Sequence, residues 1–359
     1  MSEGLSREHG FPVVDLEGSP RERGLAHGRA LRARIARSIE RWSDEVAATT
    51  GRPLAQVIRE FCATTSFVPA IERWTPDLLE EIRGIAAGAD IDFETILACN
   101  FLDEWGWFAA ERYRGDSPET GCSVIGLRYA ADGHPVAAQT HDLSCGYEGV
   151  QAILRIRGTD GIRVLAFTAA GMIALSGCND RGVSVNCNGL ARSLPHSGTG
   201  LPVAFIVRGV LACSTMAEAR NFLERVPHAS GQNYLLGGPE GVLNLECSAE
   251  RVAEAGGGAV VLHTNHPLVQ PDGSPASRQR AVANSRARLE YLESCAPGLR
   301  SVQEVQRALE NPAVCKREAE HYTAAAITSE LSVPPRVVIT AGPPDEHPWR
   351  QVSFTRKPP

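Results

Sequence analysis

The amino-acid sequence predicts a layered α/β sandwich of the α+β kind, with antiparallel strands lying between helices. Three observations predict it. Helical periodicity fills the first third, short β-branched runs broken by tight-turn signals follow from Cys122, and helical stretches return before two closing strands. The strands come in hairpins rather than singly between helices, so alternating βαβ units fit less well.

The first helix opens at Ser19-Pro20-Arg21-Glu22. Ser19 caps, Pro20 suits the first helical position, and Glu22 completes a capping box. Leu31, Ile35, Ile39, Trp42 and Val46 then recur in steps of three or four, which gives one apolar face that needs a partner. Thr75-Pro76-Asp77 and Asp92 open two further helices, the second carrying Ile96, Leu97, Phe101, Trp105 and Phe108. Around Asp116-Ser117-Pro118 the character changes, so residues 1–121 read as a helical N-terminal segment and 122–359 as an antiparallel-sheet segment. Asp132-Gly133 separates strands at 123–127 and 136–140, and Asp160-Gly161 separates 152–157 from 162–167. Gly182 and Pro239-Glu240-Gly241 punctuate two more pairs. Helices are expected at about 202–226 and 275–309, closing strands at about 335–340 and 349–355, and a polar tail at Arg356-Lys357-Pro358-Pro359.

The 359 residues suffice for one large core or two ordinary ones. Hydrophobic residues make up 43% and charged ones 22%, an ordinary balance for a soluble folded chain. Net charge is -6, aromatics are 6%, and no basic block occurs, which argues against nucleic acid as a partner. The opening MSEGLSREHGF lacks a basic start followed by an apolar stretch, and no run of about 18 apolar residues exists, so neither secretion nor a membrane partner is expected. Ten scattered cysteines without a C-x-x-C pair point to the reducing cytoplasm and to mostly inert, buried thiols.

One cysteine stands apart. Gly121-Cys122-Ser123 falls where the helical third ends and the first hairpin begins. A small apolar residue opening a strand is the plain reading of Cys122. Asp142, however, lies 20 residues further on, and the midpoint of the two is the Asp132-Gly133 turn. A symmetric hairpin returns Asp142 to Cys122, where a carboxylate can hold an ammonium or orient a thiol. Two later strands end in amides, at Asn186-Cys187-Asn188-Gly189 and His263-Thr264-Asn265-His266. Their NH2 groups suit a tetrahedral oxyanion, although Asn in a turn is as ordinary a reading. His263 and His266 form H-x-x-H, but a proline follows and no third ligand stands at a diagnostic spacing, so no metal is expected. His266 or His141 as a base for Cys122 remains an alternative.

With these motifs the chain resembles the acyl-coenzyme A:6-aminopenicillanic acid acyltransferase family, cysteine N-terminal-nucleophile hydrolases that include isopenicillin N acyltransferase. The resemblance runs through Gly18-Ser19-Pro20-Arg21-Glu22-Arg23-Gly24, His27-Gly28, Gly84-Ile85-Ala86-Ala87-Gly88, Gly121-Cys122-Ser123, Asn188-Gly189-Leu190 and His263-Thr264-Asn265-His266, then Asn284-Ser285-Arg286-Ala287-Arg288-Leu289 and Gly342-Pro343-Pro344. It implies a four-layer αββα sandwich, made as a precursor in which Cys122 attacks the Gly121 carbonyl and becomes a new N-terminus. Its free α-amine, with a reference pKa near ~8, would then take the thiol proton. Carried over residue by residue, Cys122 is the nucleophile, Asp142 its support, Asn265 the oxyanion amide and Asn188 a second site amide. Ser285 and Arg288 match a Ser-x-x-Arg segment that holds substrate or steadies the site. The chain departs from the family pattern at Thr140 and His141, and His141 is grouped with the substrate-binding candidates. The implied activity is acyl transfer from an amide or thioester to water or an amine, with no cofactor, acyl-coenzyme A as a potential substrate, and the cleaved N-terminal segment as a standing partner. An unprocessed thiol hydrolase and a non-catalytic scaffold of the same fold are the alternatives.

Overall fold

The computed structural model describes residues 5–8, 10–113, 121–318 and 321–355; the Asp116-Ser117-Pro118 boundary and the final polar tail lie outside them. Strands β1 (Leu5–Glu8) and β2 (Phe11–Leu16) precede helices α1 (Pro20–Thr50), α2 (Leu54–Thr64), α3 (Val68–Trp74), α4 (Pro76–Ala89), α5 (Phe93–Cys99) and α6 (Leu102–Tyr113). Strands β3 (Gly121–Leu127), β4 (Val136–Ser144), β5 (Gln151–Arg157), β6 (Arg163–Ala169), β7 (Ser176–Asn179) and β8 (Ser184–Gly189) follow. Then come α7 (Val203–Leu211), α8 (Met216–Arg225), β9 (Gln232–Gly238), β10 (Gly241–Cys247), β11 (Val252–Glu254) and β12 (Val260–His263). The described chain closes with α9 (Gln279–Cys295), α10 (Val302–Glu310), β13 (His321–Glu330), β14 (Arg336–Ile339) and β15 (Arg350–Val352).

The strands form a nine-stranded sheet, β1-β2-β5-β6-β7-β8-β9-β10-β11, and a six-stranded sheet, β12-β3-β4-β13-β14-β15. The pairing of β2 with β5 is parallel, and the other neighbours run antiparallel. Side-chain alternation assigns each face its layer. Val124, Ala137, Leu235, Val242 and Val261 pack between the sheets, while Ile125, Leu127, Val136 and Ala138 point outward onto Leu292, Val302, Val305 and Leu309. On the far side, Leu154, Val185 and Leu236 of the large sheet pack against Leu31, Ile35, Ile82, Ile85 and Phe205. The result is the four-layer αββα sandwich.

The first helix begins as its sequence predicts: Ser19 and Glu22 make the reciprocal capping box. Its partner is α4, and the two approach through Gly24 and Gly28 facing Gly84 and Gly88. A Cβ at Gly28 would fall on the Ile85 carbonyl and 2.7 Å from Ala89 N, so glycine is required for this backbone approach.

Four stretches differ from the expectation. The N-terminal segment is not purely helical, because β2 sends Val13 into the inter-sheet core and Val14 and Leu16 onto the helices. The helix expected from Asp92 breaks after Cys99, since the Asn100 amide donates to Ile96 O (2.8 Å) and Gly171 O (3.0 Å) and accepts from Ile173 N–H (2.8 Å). The stretches expected as helix at 202–226 and 275–309 are each two helices, α7 and α8, then α9 and α10, with Thr215 capping α8 and Ser301 capping α10. Among the described residues, no helix is long and apolar enough to cross a membrane.

Candidate active site

The β3–β4 hairpin sets Gly121 opposite Asp142 and Cys122 opposite His141, one residue off the symmetric register, so Asp142 comes to the neighbourhood of Cys122 but shares its face with Gly121. On the other edge of β3, the antiparallel pairing puts His263 opposite Val124, so Asn265 lies just past the strand end, beside Cys122. The large sheet brings Asn188 from β8, and α9 brings Ser285 and Arg288.

These residues grip the Cys122 backbone. Its N–H donates to Asn265 Oδ1 (2.8 Å), and its carbonyl accepts from Asn188 Nδ2 (2.9 Å) and Arg288 Nη1 (2.8 Å). Arg288 also donates to Ser123 Oγ (2.9 Å), Asn265 Oδ1 (2.9 Å) and Asn284 Oδ1 (3.0 Å). The Asn265 amide is thereby oriented: two donors face its oxygen, and its Nδ2 donates to Gly189 O at 3.2 Å.

A further shell fixes those groups. Asn233 donates to Asn188 Oδ1 (3.0 Å) and to Asn244 Oδ1 (3.2 Å). Ser285 Oγ accepts from Asn265 N–H (2.7 Å), lies 2.8 Å from His266 Nδ1 and donates to Thr264 Oγ1 (2.9 Å). His263 spans the Thr264 carbonyl and the Glu246 carboxylate, which also accepts from the backbone of residues 268–270. Asn233, Asn244 and Glu246 were not singled out by sequence reasoning; the visible signal was polar side chains in buried strands. Ser285, Arg288 and His141 are all buried with protein partners, so in this state they offer no open surface to a substrate. His141 Nε2 meets Ser176 Oγ at 2.7 Å and its ring packs on Phe167.

Burial pushes the Cys122 thiol up to about 12, and the Asp142 charge adds to this; a bond from the Asp142 backbone, the Gln139 side chain and the Arg288 charge act the other way. Burial also raises the Asp142 carboxyl above its usual range, against the opposing pull of Lys316, Arg288 and the Thr323 hydroxyl. His141 and His266 are pushed down to about 3 and about 4, chiefly by burial, so both imidazoles are neutral at pH 7. In the continuous chain Cys122 is thus a neutral thiol whose own nitrogen is an amide.

A cleft of about 980 Å³ opens between α6 and the two chain segments that continue from Asn188 and Asn265. Trp107, Leu194, Pro195, His196, Asp272 and Pro275 are among its lining residues. His196 stacks on Trp107 with ring centroids 4.1 Å apart and pairs with Glu111 at 3.2 Å.

A Gly–Cys junction opening an inner strand of an αββα sandwich, with a carboxylate across the hairpin and carboxamides on its backbone, resembles the arrangement expected of the N-terminal-nucleophile hydrolase class. Within that class, the model of the acyl-coenzyme A:6-aminopenicillanic acid acyltransferase family matches residues 163–328, a span that holds Asn188, Asn265, Ser285 and Arg288. The 40 kDa form of acyl-coenzyme A:6-aminopenicillanic-acid-acyltransferase from Emericella nidulans is 26% identical over 301 residues, covering 81% of this chain and 79% of that protein. The family resemblance read from the sequence therefore stands. Among solved structures, a Caenorhabditis elegans N-acylethanolamine-hydrolyzing acid amidase ortholog is 14% identical, covering 59% of this chain and 94% of its own, with a TM-score of 0.45. Penicillin V acylase from Agrobacterium tumefaciens is 13% identical, covering 61% and 82%, with a TM-score of 0.41.

Proposed function

We propose that the chain is a self-processing cysteine amidohydrolase or acyltransferase that forms an acyl-enzyme on Cys122. The observation that carries this reading is the grip on the Gly121–Cys122 junction, with Asn265 on the Cys122 N–H and Asn188 and Arg288 on its carbonyl. In the first reaction Cys122 Sγ bonds to the Gly121 carbonyl carbon and the Gly121–Cys122 C–N bond breaks. The thiol proton ends on the departing nitrogen, and water then hydrolyses the thioester.

The freed α-amine stays beside Asn265 Oδ1 and becomes the acceptor for the thiol proton in turnover, at an ordinary α-amine pKa near ~8. Holding the amine through Oδ1 leaves Asn265 Nδ2 as the donor for the tetrahedral oxyanion, a contribution typically worth about 3 kcal/mol. The acyl donor is an amide or a thioester such as acyl-coenzyme A, and the acceptor is water or an amine. No cofactor takes part, and the cleaved N-terminal segment remains in place. Cysteine content supports a cytoplasmic setting.

Intact-mass measurement under denaturing conditions tests the reading. Two fragments, ending at Gly121 and beginning at Cys122, are expected from the unmodified chain, and a single full-length mass from Cys122→Ala. A Cys122→Ala chain that is still cut there, or still turns over an acyl donor, sinks the mechanism.

A further inference from the structure

The self-processing step has a difficulty that turnover does not. Before the peptide is cut, the α-amine that would receive the thiol proton does not exist, and Cys122 N is an amide committed to Asn265. Some other group must hold that proton in transit. Asp142 is the carboxylate opposite Gly121, fully buried, with no hydrogen-bond partner for Oδ2 among the described residues. An unpaired carboxylate in such a place is poorly tolerated unless a cation stands near.

That cation is Lys316, in the segment between α10 and β13. Its backbone N–H donates to Thr323 Oγ1 (2.8 Å), and the Thr323 N–H donates back to the Lys316 carbonyl (3.1 Å). The same Thr323 hydroxyl donates to Asp142 Oδ1 (2.7 Å), so one residue positions both partners. A Cβ at Gly121 would lie 2.6 Å from Lys316 Nζ and 3.1 Å from Asp142 Oδ2. Ammonium and carboxylate therefore both border the space that Gly121 leaves empty, beside the peptide to be cut, though they do not close to an ion pair. This gives the glycine a role beyond lack of bulk toward the nucleophile.

We propose that Lys316 is a positioning residue for self-cleavage, its ammonium holding the Asp142 carboxylate against the Gly121–Cys122 peptide and balancing its charge. The inference rests on the self-processing reading above. In the step it serves, the Cys122 Sγ proton passes to Asp142 by way of a water molecule, since the two side chains leave the hairpin on opposite faces. Sγ bonds to the Gly121 carbonyl carbon, and the C–N bond breaks. Asp142 then returns the proton to the departing nitrogen, which becomes the α-amine. Lys316 keeps its protons throughout. Hydrolysis of the thioester by water restores the Cys122 thiol and leaves a Gly121 carboxylate beside the same ammonium.

The charged and titratable groups around Asp142 are Cys122 from β3, Arg288 from α9, and Lys316 and Glu318 from the segment before β13, while β13 itself contributes the neutral Thr323 hydroxyl. Removing Lys316 leaves Asp142 harder to ionise, so the acid limb of cleavage moves to higher pH.

The test follows cleavage of freshly translated full-length chain by intact mass from pH 5 to 9, for the unmodified chain and for Lys316→Met, Lys316→Gln and Lys316→Arg. Expected are at least tenfold slower cleavage at pH 7 for Met and Gln, an acid limb displaced upward, and a rate for Arg within about threefold of the unmodified chain. Melting curves in a Cys122→Ala background identify any variant that fails to fold, and Gln serves if Met does not fold. Unmodified rates and pH profiles in the folded Met and Gln variants would overturn the inference, as would equal slowing by Arg. An unmodified chain that never cleaves refutes the self-processing reading itself, and Lys316 loses its role with it.

Discussion

Arg288→Met keeps most of a buried side-chain stem and deletes the guanidinium that joins the Cys122 carbonyl, Ser123, Asn265 and Asn284. Two of these acceptors retain a donor: Asn188 still bonds the carbonyl, and Cys122 N–H still bonds Asn265. Ser123 is buried and loses the Arg288 donor, at about 1–3 kcal/mol for an acceptor left unpaired, partly offset because a desolvated cation is also removed, whereas Asn284 is exposed and finds water instead. A net stability loss of about 1–3 kcal/mol follows. The effect on cleavage is larger, because Asn265 then keeps one of its two orienting donors and swings. Loss of one aligned amide is worth about 3 kcal/mol in the transition state, which is on the order of 100-fold in rate. Arg288→Lys restores the charge but not a planar fork able to reach several acceptors, so it recovers stability more than rate. Intact mass against time and thermal melting read the two effects separately. A folded Arg288→Met chain that cleaves within about threefold of the unmodified rate would refute this account of Asn265.

The helix seam and the buried acids give two further tests. Gly28→Ala places a methyl on the Ile85 carbonyl and is expected to destabilise by about 2–4 kcal/mol, whereas Gly106→Ala in α6, with open space around its Cβ, should be neutral or gain up to about 1 kcal/mol; equal denaturation midpoints for the two would contradict the seam. Glu104 is raised from 4.5 to about 8, by burial and then by the Asp103 charge, so the folded chain holds a proton there that the unfolded chain sheds above pH 4.5. That contribution to stability is complete below pH 4.5 and is lost as pH rises through 8, at about 1.4 kcal/mol per unit. Glu104→Gln does not titrate, so its melting temperature relative to the unmodified chain should climb from pH 5 to pH 8; a constant difference argues against a protonated Glu104.

What the sequence revealed of the site follows how local each contact is. Asp142 was legible because one hairpin about Asp132-Gly133 carries it to Cys122 and needs no knowledge of the rest of the sheet. Asn188 and Asn265 were legible as amides at strand ends, but not the way they face. Only the Arg288 and Cys122 donors show that the Asn265 oxygen, rather than its NH2, meets the peptide nitrogen. Lys316 was invisible for a different reason. It reaches Asp142 through Thr323, 181 residues away in the chain, and only because β13 is the strand that pairs with β4. The same applies to β2: its hairpin with β1 is local, but its parallel neighbour β5 lies across the whole helical segment.

That parallel pairing also bears on molecularity. Residues ahead of Gly121 are stitched into the remainder by β2 alongside β5, by Glu81 between Arg23 and Arg208, by Asn100 on Gly171 and Ile173, and by Glu104 on the Val203 N–H. An intact chain folds in a first-order process. A cut at Gly121–Cys122 would leave the native contacts in place while turning refolding into a second-order encounter of two chains, so the folded form would carry a history that its separated pieces recover only in proportion to concentration.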